Sequence, residues 1–88
     1  MKNIEIIPIA RRKMEKRGIK EEWVIEAVES PEQLVAGYGN RQVAHKRIDL
    51  GEQKRLLRVV YEVAETRFIV ITAYLTSQIA RYWKEEKA

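Results

Sequence analysis

Apolar residues along this chain change their spacing at Pro31. Before it they recur at helical intervals: Ala10 with Met14, Trp23 with Ala27 and Val24 with Val28 stand four apart, so each pair shares a helix face. Beyond it they gather in β-branched runs, of which residues 56–63 and 68–75 are the densest. Only Ala64-Glu65-Thr66-Arg67 separates those two runs, which predicts a hairpin buried at the centre of a sheet.

The breaks agree with this division. Residues 4–7 read as a short edge strand that Pro8 stops, since proline cannot donate to a ladder. A basic helix over 10–17 closes at Gly18 as its C-terminal cap. A second helix over 21–29 opens on Glu21 and Glu22, which complement the helix dipole, and ends at Ser30-Pro31. Residues 33–36 are a brief extended segment, 37–40 a turn, 41–50 a strand and 51–54 another turn. A short last helix is expected from Thr76 or Ser77 to about Glu85. The fold class expected is therefore α+β, one domain over 1–88, with two N-terminal helices packed on one face of an antiparallel β-sheet. Its main core should comprise Trp23, Val24, Ala27, Val28, Leu57, Val59, Ile69 and Ile71.

Composition removes several chemistries. With no cysteine there are no disulfides, thiolate metal sites or cysteine nucleophiles, and a single histidine makes a protein-only transition-metal site improbable. No cofactor is expected. No apolar segment nears the roughly 18 residues of a membrane span, and the first residues lack a signal peptide's hydrophobic stretch, so a soluble cytoplasmic protein is expected. The net charge of +4 is unevenly spread: residues 1–20 carry net +5, 21–40 net −5 and 41–60 net +4. Two basic blocks thus flank an acidic helix. They suit a phosphate backbone, or else are a solvated helix face beside salt-bridged strands.

Strand parity assigns chemistry to a face. In the last strand Ile69, Ile71, Ala73 and Leu75 point one way, and Phe68, Val70, Thr72 and Tyr74 the other. The uniformly apolar set should meet the helices, as should Leu57, Val59, Tyr61 and Val63, together with Ala44, Ile48 and Leu50. The opposite, open face then holds Arg41, Val43, His45, Arg47, Arg58, Thr72 and Tyr74. Such a surface has the parts for metal-free RNA cleavage by transesterification, which needs a base for the 2′-hydroxyl, cations for the phosphorane and an acid for the leaving oxygen. His45 is the candidate base or acid, Arg47 and Arg58 the phosphate clamp, and Tyr74 an acid or stacking platform. Arg41, Lys46, Thr76, Ser77 and Arg81 are candidate phosphate contacts, the last from the final helix. Against this stand simpler readings: a lone strand histidine as an ordinary surface or interface residue, Arg58 paired with Glu62, Tyr74 and Tyr82 as packing residues, Trp83 as a cover on an exposed end of the core, and Thr76-Ser77 as a helix cap.

Several segments resemble a known family: Ala10-Arg11-Arg12-Lys13-Met14-Glu15-Lys16-Arg17-Gly18-Ile19, the helix ending Ser30-Pro31-Glu32, Arg58-Val59-Val60-Tyr61-Glu62, and Ile71-Thr72-Ala73-Tyr74-Leu75-Thr76-Ser77. They are similar to the domain of unknown function family 4258, over nearly the whole chain. That resemblance implies kinship with the RelE/ParE toxin superfamily and with BrnT-type ribonuclease toxins, whose fold sets two N-terminal helices on an antiparallel sheet. It also implies RNA, on the ribosome or free of it, and an antitoxin protein as partners. The chain departs from the pattern at Ile9, where family members often carry a histidine, and at Tyr74, where BrnT-like chains tend to have arginine; Arg81-Tyr82 matches their C-terminal helix. Two functions follow as expectations: a small toxin-like endoribonuclease or a derivative of one, and a non-catalytic module binding RNA or protein through the same face.

Overall fold

The structure, a computed structural model, describes residues 3–83. Ile4 and Ile6 alternate with polar residues in a first strand, β1 (Asn3–Ile6). Pro8 ends it and opens helix α1 (Pro8–Lys16), where its missing N–H is one that the first turn would leave unpaired anyway. Gly18 closes α1 with φ +67, and the flanking bonds Gly18 N–H to Glu15 O and Ile19 N–H to Met14 O form a Schellman cap. Helix α2 (Glu21–Glu29) follows, then β2 (Gln33–Ala36), β3 (Arg41–Leu50), β4 (Gln53–Val63), β5 (Arg67–Thr76) and the single turn α3 (Ile79–Tyr82). Between β3 and β4 only Gly51 and Glu52 intervene. Of these two only Gly51 takes a positive φ, at +77, a conformation that glycine supplies at the first position of a two-residue hairpin turn.

The sheet runs β1-β5-β4-β3-β2. Its four later strands are antiparallel neighbours, whereas β1 lies parallel to β5, with Ile4 opposite Phe68 and Ile6 opposite Val70. This corrects the expected fold class. Among the described residues the molecule is a five-stranded mixed sheet that opens on a strand, with helices of nine, nine and four residues; it is not two N-terminal helices set on an antiparallel sheet in the RelE/ParE manner. The reason lies in the N-terminal residues. Ile4 and Ile6 gain more by docking at the edge of β5 than by remaining a loose leader, while α1 has only Ala10 and Met14 to bury. The last helix is likewise shorter than expected, and the part of that expectation at Lys84 and Glu85 lies outside the described residues.

Helix α1 rests on β5, and α2 on β4 and β3. Ala10, Met14, Ile19, Val24, Ala27 and Val28 there meet Ala44, Leu57, Val59, Tyr61, Val70 and Ala73 in one cluster, with Trp23 partly buried at its margin. Ile69 and Ile71 do not belong to it. Between Val60 and Tyr61 the β4–β5 register slips: Val60 faces Thr72 but Tyr61 faces Val70, so Ile71 is an extra residue without a partner. Such a bulge reverses the alternation beyond it, turning Phe68 and Val70 toward the helices and Ile69, opposite Glu62, away from them. Leu50, also expected inside, is 42% exposed beside the hairpin turn. Tyr61, packed edge-on against Phe68, donates its hydroxyl to Gln42 Oε1 at 3.0 Å, and burial raises its pKa.

Candidate functional site

Register brings four side chains into one row across the face opposite α1 and α2. Gln33 stands opposite His45, His45 opposite Arg58, and Arg58 opposite Tyr74, so β2, β3, β4 and β5 each contribute one. The row is hydrogen-bonded along its length. Arg58 Nε donates to His45 Nε2 at 3.0 Å, and Arg58 Nη1 donates to the Tyr74 hydroxyl. Because a guanidinium can only donate, His45 Nε2 must be an acceptor. The ring proton therefore sits on Nδ1, which donates to Gln33 Oε1 at 3.1 Å.

His45 is fully buried. Trp83 lies over it, ring centroids 6.4 Å apart and planes inclined by 28°, and Tyr82 places its ring 4.1 Å from the Arg58 guanidinium carbon. The C-terminal turn thus covers a face that strand parity alone left open. With both ring nitrogens engaged, His45 orients Arg58 and offers no lone pair to a substrate in this arrangement. Arg58 itself is half-buried, and among the described residues its partners are a neutral imidazole, a phenol and aromatic rings, none of them a carboxylate.

Arg47 differs in kind. Its backbone N–H and Nη2 donate to Glu32 at 2.7 and 3.0 Å, and its guanidinium carbon stands 4.6 Å from the centre of the Trp83 ring. The hydrogen bonds from Arg47 hold the Glu32 carboxyl below its usual value of 4.5 and raise the Arg47 pKa in return. Beside them an open cleft of about 500 Å³ is lined by Arg47, Ile79, Ala80 and Trp83.

The other candidates are more scattered. Arg41 lies on the same face but pairs with Glu62 at 3.2 Å, so Glu62 is engaged by Arg41 rather than Arg58. Lys46 projects to the helix side, where it meets Glu26 of α2 at 3.3 Å, away from the row. Thr76 Oγ1 accepts from the Gln78 N–H, Ser77 is exposed, and Arg81 donates to Gln78 Oε1. Gln33 and Glu32 were not singled out from sequence. Gln33-Leu34-Val35-Ala36 has no polar–apolar alternation to mark a face, and only pairing with β3 shows that Gln33 meets His45. Among the described residues no group of three His, Asp or Glu is arranged to hold a metal ion, and no helix is long and apolar enough to cross a membrane.

A family model described as a domain of unknown function (DUF4258) matches residues 10–75. That is most of the chain, and the chain belongs to this family. No curated protein and no solved structure matches it.

Proposed function

We propose that this member of the domain of unknown function family 4258 binds a single strand of RNA across the Arg58 row. The observation that carries the reading is a half-buried guanidinium with no carboxylate partner among the described residues, held in place by His45 and Tyr74 and stacked on Tyr82. An arginine positioned this way has Nη2 uncommitted among the described residues, and partial burial strengthens a contact there to a phosphate oxygen relative to one in open water. Aromatic rings beside a fixed cation are the usual furniture of single-strand binding, since every base has a face to stack. The kinship with RelE/ParE-type ribonuclease toxins that the family resemblance implies points to RNA as the ligand, though the mixed sheet departs from their architecture. It does not by itself support cleavage.

A toxin-type endoribonuclease is the second reading, favoured by one contact. Arg58 on the Tyr74 hydroxyl puts a cation and a proton donor side by side, as phosphorane stabilisation and leaving-group protonation require. A base for the 2′-hydroxyl is the missing part, because His45 is committed at both nitrogens.

Anisotropy of labelled single-stranded RNA, titrated over a range of salt, tests the first reading. Affinity should fall steeply with salt, and Arg58→Ala should flatten the log–log slope by about one unit. Arg58→Lys should not restore binding, as an ammonium cannot keep the donors to His45 and Tyr74 together with the stack. Binding that ignores Arg58 overturns the proposal. RNA left intact by the protein, alone and with ribosomes, fits a binding module; a cyclic-phosphate product lost in Tyr74→Phe would establish the endoribonuclease instead.

A further inference from the structure

We infer that the cleft beside Arg47 takes the base of the same nucleotide whose phosphate Arg58 holds, an inference that rests on the phosphate reading above. The two arginines differ in charge balance. Arg47 is neutralised by Glu32, so a second anion gains little there, whereas Arg58 has no acidic partner among the described residues. What the cleft offers is an indole, two aliphatic side chains and a guanidinium already stacked on that indole. A flat, neutral group with a polar rim fits this lining; a phosphate does not.

Spacing ties the two sites to one ligand. Arg47 is the diagonal neighbour of Arg58, two residues along β3 from its cross-strand partner His45, which sets the two backbone positions roughly 7 to 8 Å apart. That is about the reach from the phosphate of a nucleotide to its base. Trp83 stands at both, lining the cleft and covering His45. The proposed ligand is thus an unpaired nucleotide, its phosphate on Arg58 and its base against Trp83.

Trp83 fluorescence in a Trp23→Phe background reads the test directly, with adenosine monophosphate, ribose phosphate and adenosine as probes. Adenosine monophosphate should bind about tenfold or more tighter than ribose phosphate, the range that stacking one base on an aromatic ring supplies. Measured by competition with labelled RNA, Trp83→Ala should abolish that preference while ribose phosphate binding persists, and Trp83→Phe should keep most of it. Ala80→Gln, at an exposed position on the cleft wall, should reduce the preference without disturbing the core. Equal binding of adenosine monophosphate and ribose phosphate overturns the inference, as does an equal loss of both in a folded Trp83→Ala protein. If adenosine quenches Trp83 while ribose phosphate fails to bind and Arg58→Ala changes nothing, the phosphate reading fails and the base cleft stands alone.

Discussion

His45 and Arg58 act as one unit. The imidazole gives up its chemistry to aim the guanidinium, and the Gln33 amide fixes which nitrogen carries the proton. Replacing His45 by Leu keeps the volume but strands the Arg58 Nε–H, so stability should drop by about 1 to 3 kcal/mol in urea unfolding. RNA affinity should fall with it. A variant as stable as the parent would mean that Arg58 does not depend on this acceptor. Glu32 makes a separate prediction about pH. Its carboxyl is held below the usual 4.5 by Arg47, so the pair's stabilisation is complete above that value and is lost as pH falls through the lowered folded value. Glu32 is about a third exposed, at 34%, and solvent screening keeps the effect small. Thermal unfolding of Glu32→Gln should therefore trail the parent near neutrality and match it in acid; a gap that persisted in acid would assign the loss to something other than this pair.

Elements are shaped here by single residues at their ends and irregularities. Gly18 has open space where a Cβ would stand, yet its φ of +67 is a conformation that side chains disfavour. Gly18→Ala should thus cost about 1 to 2 kcal/mol with no clash, and the loss should appear in denaturant midpoint without a change in slope. In β5 the unpaired Ile71 decides which side chains reach the core. Leu57, fully buried opposite Leu75, should lose about 2 to 5 kcal/mol when cut to Ala, whereas Ile71→Ala, at the bulge and only partly buried, should lose clearly less. Equal losses would place Ile71 in the core after all.

At the scale of the whole molecule the sheet separates two kinds of surface. Lys46 and Glu26 join β3 to α2 on the helix side, while the Arg58 row lies on the other face beneath Tyr82 and Trp83. A charge change should therefore matter by face rather than by proximity in sequence. Lys46→Gln is expected to leave the salt dependence of RNA binding unchanged and to lower stability by at most about 1 kcal/mol, although Lys46 neighbours His45 in the chain. A loss of salt slope as large as that of Arg58→Ala would show that RNA approaches from the helix side.

Local patterning was enough to determine α2 at 21–29, β2 at 33–36 and β3 at 41–50, because helix spacing, strand alternation and the breaks at Pro31, Gly37 and Gly51 are properties of neighbouring residues. It also placed His45, Arg58 and Tyr74 on one face, which needs only a period of two and an uninterrupted register over that stretch. Long-range pairing decided the rest. That β1 would dock parallel to β5, that Ile71 would be the extra residue, and that Glu32 rather than a phosphate would engage Arg47 all depend on partners from 9 to 64 residues distant. Parity within one strand carries no information about a bulge, since the slip is defined only against the strand beside it. Burial of His45 beneath Trp83 is of the same kind: the residues were legible singly, and only the folded chain brings them together.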